Sequence, residues 1–156
     1  MKVISKKAAF EDERGKIIDI LGKEVIEYVT LISSKKGAVR GNHYHKESVQ
    51  YTFLLYGTLK LLTQIPGRKI ETRRIKPGDL VITPPMEKHA LIALEDSEFL
   101  VFTRGPRGGK NYEKDTYRLT EKLTDLEINS DNIKHGNVAN YSSDDKILSH
   151  SITFDR

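Results

Sequence analysis

From Lys16 to about Thr103 the apolar residues recur with a period of two, in short segments bounded by glycine, proline and polar clusters. Alternation on this scale is what a half-buried strand requires, since successive side chains leave opposite faces. It predicts strands over Lys16 to Ile20, Glu24 to Ser33, Val49 to Tyr56, Thr58 to Ile65, Lys69 to Ile75, Asp79 to Thr83, His89 to Leu94 and Glu98 to Arg104. Pro66-Gly67 and Pro77-Gly78 place a φ-fixed residue before one that tolerates positive φ, the chemistry of type II turns. In Val49 to Tyr56, one face carries Gln50, Thr52, Leu54 and Tyr56, and the other Val49, Tyr51, Phe53 and Leu55. Such a strand covers a core on its aromatic side and lines a partly polar cavity on the other. Short antiparallel strands without helical alternation predict an all-β jelly-roll barrel rather than an α/β fold.

After Gly105 the character changes. PRGGKNYEKD is polar and glycine-rich, Tyr117 to Ile128 has the Leu119, Leu123 and Leu126 spacing of one short helix, and the sequence beyond Asn129 is rich in Ser, Asn and Asp. Ile147 to Phe154 has enough β-formers to add a strand or clasp a neighbouring subunit. The expected organisation is one barrel domain over residues 1–115, followed by a helix and polar tail over 116–156 that is not a separate domain. A chain of 156 residues with 37% hydrophobic and 31% charged composition suits one soluble domain. No apolar run approaches the ~20 residues of a spanning helix, and the first ten residues lack a signal-like apolar core, so the expectation is a cytoplasmic protein with no membrane partner. The absence of cysteine removes disulfides, thiolate catalysis and cysteine-ligated zinc. The net charge of +4 divides into +7 for residues 1–124 and −3 for the remainder, six acids against three bases. The bases are scattered at strand ends and no helix carries a basic stripe, which argues against nucleic acid and for a small anionic partner.

His43 and His45 are two apart, so on an extended strand both rings leave one face. Around them runs Gly37, five residues, His43-Tyr44-His45, four residues, Gln50, six residues and Gly57; later come Gly78, five residues, Pro84, one residue, Met86, two residues and His89. These two strings resemble the paired motifs of the cupin superfamily, whose fold is a jelly-roll barrel. Gln50 stands where the pattern has glutamate, Met86 where it has glycine and Ala93 where it has asparagine. Within that superfamily, Phe10 to Gly15 (FEDERG) and Arg40 to His43 (RGNH) resemble elements of the dTDP-4-dehydrorhamnose 3,5-epimerases. The run Arg40 to Lys46 (RGNHYHK) is similar to the signature of sugar-nucleotide 3,4-ketoisomerases and of cupin domains in capsular polysaccharide enzymes. The resemblance implies His43 as proton-transferring base, Arg40 and Arg14 as groups binding an anionic substrate, and, from the ketoisomerase form alone, His45 as a second catalytic residue and Lys46 as a further substrate-binding cation. It implies a nucleotide-linked sugar as partner, surface polysaccharide biosynthesis as setting and no required cofactor.

A neutral imidazole can remove the proton α to the ketone of a 4-keto-6-deoxyhexose, and a nearby cation can stabilise the resulting enediolate. Returning the proton to the opposite face epimerises, whereas returning it to the neighbouring carbon isomerises. Beside this stands a metal reading in which His43, His45, His89 and the Gln50 amide oxygen hold Zn, Fe, Mn, Ni or Cu. With iron or copper a dioxygenase follows, and without turnover a sugar-binding cupin. Strict alternation sets Arg40 on the face opposite His43 unless a bulge or bend at Gly41 redirects it. Arg14 reads equally as a solvated turn charge, Gln50 as a hydrogen-bonding core residue, Met86 as core filler and Lys110 to Lys114 as a solvated loop. Tyr112 and Tyr117 read as tyrosines covering a barrel edge, and His135 and His150 as uninvolved. Open jelly-roll edges predict a homodimer.

Overall fold

The computed structural model describes residues 1–106 and 113–134. Two five-stranded antiparallel sheets face each other. The first has β1 (Lys2–Ser5), β9 (Asp79–Thr83), β6 (Val49–Tyr56), β11 (Ser97–Arg104) and β4 (Tyr28–Ser34), in that order. The second runs β12 (Tyr117–Arg118), β5 (Val39–Tyr44), β10 (Lys88–Ala93), β7 (Leu59–Gln64) and β8 (Glu71–Ile75). A separate hairpin pairs β2 (Phe10–Asp12) with β3 (Gly15–Ile17), and α1 (Leu123–Lys134) follows β12. This is the all-β jelly roll that the alternation predicts.

Both proline-glycine turns have the expected form. The Arg68 amide donates to the Ile65 carbonyl and the Asp79 amide to that of Lys76, each at 3.0 Å, with Gly67 at φ +77° and Gly78 at φ +89°.

The core has three parts. Leu54, Leu59, Leu61, Ile75, Val81, Phe99 and Val101 meet between the sheets. Val49, Tyr51, Phe53 and Leu80 form the outer face of the first sheet, covered by Ile20, Leu21 and Ile26. Leu62 and Ala90 on the outer face of the second sheet receive Leu119 and Leu123. The two-faced reading of β6 therefore holds: its aromatic side packs outward, while Leu54 enters the inter-sheet core.

Several boundaries differ from the sequence expectation. The segment Lys16 to Ile20 contributes only the end of the β2–β3 hairpin, and the strand expected from Glu24 begins at Tyr28. The pattern missed β1, β2 and β12, because short edge and hairpin strands give too few alternating positions, and β5, whose polar sequence VRGNHY and extra residue at Asn42 break the alternation. Helix is absent from Tyr117 to Lys122. Tyr117 and Arg118 instead pair with Tyr44 and His43, extending the second sheet past residue 115, and the helix starts at Leu123. Its start is fixed from outside, since the Leu123 amide donates to Asn42 Oδ1 at 2.9 Å, the capping role usually taken by a local Asn or Ser. Glu127, on the buried side of α1, is held by Lys60 Nζ at 2.6 Å and Thr72 Oγ1 at 3.0 Å.

Candidate functional site

One end of the space between the sheets is open. The cleft there, about 280 Å³, is lined by apolar Leu61, Val81, Phe99 and Val101 at its base and by His43, His45, Gln50, Thr52, Thr83 and His89 above them. Its size is at the lower end for small-molecule sites, enough for the reacting end of a ligand whose remainder lies across the mouth.

The rings come from separate stretches. His43 is on β5, His45 just beyond its end and His89 on β10, where it is the register partner of His43. Ring centroids lie 4.6 Å apart for His43 and His89, 4.8 Å for His43 and His45, and 5.4 Å for His45 and His89. His45 and His89 are buried, while His43 is half-buried. His45 Nδ1 lies 2.7 Å from the Asp115 carbonyl oxygen, which can only accept. Nδ1 therefore carries a proton, so in the neutral ring it is Nε2 that holds the lone pair. His89 Nδ1 faces the Glu87 carbonyl at 3.3 Å in the same sense.

Asp115 was not legible in the sequence. It follows the run taken as a solvated loop, and no local pattern marks it; only the fold brings it to residues 46–48. Its buried carboxylate accepts the backbone amides of Lys46 at 2.8 Å, Glu47 at 3.2 Å and Ser48 at 2.7 Å. Burial, the largest single influence, pushes its pKa up, but the bonds from the Ser48 side chain and amide and from the Lys46 and Glu47 amides together outweigh it and hold the group below the usual carboxylate range. The same residue thus fixes the chain after His45 with its side chain and the ring of His45 with its carbonyl.

Arg40 reaches the cleft through a bulge. The β5–β10 register slips between His89 and Ala90: His43 opposes His89 but Gly41 opposes Ala90, leaving Asn42 as the extra residue. Gly41 has φ +89° and Asn42 φ +55°. A Cβ at Gly41 would lie 2.7 Å from the His89 carbonyl oxygen, so the approach of the strands needs glycine. The slip turns Arg40 to the cleft side, where its Nε donates to Ser34 Oγ at 2.6 Å and an Nη to the Ser33 carbonyl at 2.8 Å.

Other predicted residues lie elsewhere. The Lys46 ammonium sits 4.2 Å from the centre of the Tyr117 ring, which stacks on Tyr44 at 5.2 Å, and Lys46 does not line the cleft. Arg14 is exposed in the β2–β3 turn, paired with Asp12 at 2.6 Å and away from the cleft of its own chain; that contact holds Asp12 below the usual carboxylate range. Glu113 and Arg118, paired at 2.9 Å, join Asp115 in the cleft wall, so the end of the supposed solvated loop belongs to the site. Gln50 is buried in the wall opposite the bulge. Tyr112, His135 and His150 fall outside the described residues.

Met86 is not core filler. It is 46% exposed, at φ +67°, and its amide donates to the His45 carbonyl at 2.7 Å. The left-handed conformation explains why glycine suits this position, since a Cβ there costs roughly 1 kcal/mol. Met86→Gly is expected to stabilise the fold by about 0.5–1 kcal/mol, seen as a melting temperature a few degrees higher in thermal denaturation.

The three imidazoles also present one nitrogen each within 4.8 Å of one another. An all-nitrogen face with carbonyl-anchored rings fits a transition ion such as zinc or iron, not magnesium or calcium. Nitrogens about 2.0–2.1 Å from zinc lie roughly 3.4 Å apart in a tetrahedron, so the rings would have to draw inward.

Residues 30–103 match the family described as "Cupin domain", over the strands that build the cleft. No curated protein matches the chain by sequence. Among solved structures it resembles the sugar 3,4-ketoisomerase QdtA from Thermoanaerobacterium thermosaccharolyticum in complex with TDP, at 22% identity and TM-score 0.64, over 85% of this chain and 95% of that one. It is similar to dTDP-4-dehydrorhamnose 3,5-epimerase from Sulfolobus tokodaii, at 22% identity and TM-score 0.60, over 69% and 72% of the two chains. A 3,4-ketoisomerase from Helicobacter canadensis aligns at 20% identity and TM-score 0.61, over 70% and 86%.

Proposed function

We propose that this protein isomerises or epimerises a nucleotide-linked 4-keto-6-deoxysugar by proton transfer at the carbon beside the ketone. The observation that carries the reading is the convergence of His43, His45 and His89 in one cleft with Arg40 at its rim. His43, the ring most open to the cleft, takes the α-proton. The electron pair moves onto the ketone oxygen, giving an enediolate, and the Arg40 guanidinium at the rim supplies positive charge to the bound anion. Protonation at C4, with the C3 hydroxyl proton passing to the C4 oxygen, moves the ketone from C4 to C3; protonation at C3 from the other face inverts that carbon. Either outcome balances without an oxidant or reductant. The nucleotide lies across the mouth, where Arg118 adds a second guanidinium.

The similar structures support this substrate class: QdtA was solved with TDP, and a histidine-to-asparagine variant of it with TDP-4-keto-6-deoxyglucose. The reading extends to a cytoplasmic step in surface polysaccharide biosynthesis, since nucleotide-linked deoxysugars are building blocks of such polymers.

The second reading rests on the imidazole nitrogens: His43, His45 and His89, with the Gln50 oxygen as neutral fourth donor, would hold a transition ion. Such an ion supplies Lewis-acid polarisation of a carbonyl or, if redox-active, oxygen chemistry.

The test is proton NMR of dTDP-4-keto-6-deoxyglucose with the protein in deuterium oxide, before and after chelation. Loss of the signal beside the ketone, at a rate unchanged by chelator, is expected. No exchange at any protein concentration would overturn the reading. Exchange lost on chelation and restored by zinc would transfer it to the metal-assisted form.

A further inference from the structure

The inner face of the first sheet changes character along its length. At the base of the cleft it is apolar, with Val81, Phe99 and Val101, but nearer the mouth β6 turns Gln50 and Thr52 inward and β9 adds Thr83. The register brings them together: Gln50 pairs with Thr83, and Thr52 lies between Val81 on one side and Val101 on the other. All three are more than nine-tenths buried, at 8%, 6% and 5% exposure. Their side-chain polar atoms are not taken up by hydrogen bonds to other described residues, whereas Ser48, two residues before Gln50, is bonded to Asp115. A buried hydroxyl or amide without a partner destabilises a fold, and an aliphatic side chain would fill the same space on an inner strand face without that cost. Polar groups so placed and turned into a cleft are a binding surface.

We infer that Gln50, Thr52 and Thr83 form a hydroxyl-binding subsite that recognises the sugar ring, on the wall of the cleft facing the imidazoles. The inference rests on the nucleotide-sugar reading above. The chemistry of the strip selects the ring rather than the phosphates. Among the described residues the first-sheet wall of the cleft carries no charge, while the guanidinium groups of Arg40 and Arg118 belong to the second sheet. A threonine hydroxyl both donates and accepts, and a glutamine amide offers two donors and a carbonyl acceptor, so the strip can meet ring hydroxyls in either sense. These groups do not exchange protons with a carbon acid at neutral pH. They fix the ring between the sheets with its reacting carbons toward His43, and leave the proton transfer to the imidazoles.

Calorimetry with TDP and with dTDP-glucose, a sugar nucleotide without the ketone, tests this. The wild type is expected to bind dTDP-glucose at least about 10-fold more tightly than TDP, the difference measuring the hexose contacts. Thr52→Val and Thr83→Val are each expected to weaken dTDP-glucose about 3–10-fold, and Gln50→Met about 10-fold, with TDP affinity within about twofold of wild type. Thermal denaturation of the free protein separates binding from a structural role. Removing a hydroxyl that has no partner leaves the melting temperature of Thr52→Val unchanged or raises it by about 1–3 °C. Variants that bind dTDP-glucose like the wild type, that lose TDP equally, or that melt well below the wild type would overturn the inference and leave the nucleotide-sugar reading in place. A wild type that binds TDP but gains nothing from the hexose would do the same. Binding of neither ligand would overturn that reading and this subsite with it.

Discussion

His43→Asn is expected to slow deuterium exchange beside the substrate ketone by about 10²–10⁴-fold, the usual contribution of a positioned general base, while leaving substrate affinity within a few-fold of wild type. Asparagine keeps the size and polarity of the half-buried ring but cannot accept a proton at neutral pH. His45 and His89 remain seated on the carbonyls of Asp115 and Glu87, so the cleft keeps its shape. The check is NMR exchange alongside calorimetric binding of TDP. Exchange close to wild type in this variant, with abolition in His45→Asn, would move the base to His45, whose neutral ring holds its lone pair on Nε2 in the same cleft.

Asp115→Ala is expected to destabilise the fold by about 3 kcal/mol at neutral pH, measured by urea denaturation. It leaves the amides of Lys46, Glu47 and Ser48 without their carboxylate; the Ser48 amide is buried, where an unmade hydrogen bond costs about 1–3 kcal/mol, and the other two recover part of theirs from water. Asp115→Asn, which keeps one acceptor oxygen, should fall between. The pH dependence has a definite sign. Because the native pKa of Asp115 is depressed, its contribution is present above the ordinary carboxylate value of about 3.9 and is lost as pH falls through the lower native value. The stability gap between wild type and Asp115→Ala should therefore narrow below about pH 4. A gap independent of pH would mean that the carboxylate is not what holds residues 46–48.

How much of this was legible in the sequence depends on the range over which each feature is encoded. The β6 strand was readable because Val49 to Phe53 alternate strictly and its two faces differ in kind. The His43 and His45 pair was readable from spacing, and His89 from its place in the second motif. Arg40 was legible only as a conditional: alternation placed it outside and only a bulge at Gly41 would bring it in, and the bulge is there. Met86 was misjudged because side-chain chemistry alone says nothing of φ; the positional clue, glycine in the motif, pointed to the backbone. Asp115 had no signal at all, since its partners lie about 70 positions earlier and only the fold brings them together. The helix start was hidden for the same reason, its cap being Asn42 rather than a neighbour in sequence.

The extra residue in β5 has one more consequence, for anyone exchanging parts between relatives. Asn42 seats the first turn of α1 by virtue of the same slip that swings a guanidinium toward the reacting groups, so helix docking and anion recognition share a single backbone irregularity. A transplanted α1 would need an acceptor at that point in its host. Deleting one residue there to tidy the strand would unseat the helix and turn the guanidinium out to solvent in a single step.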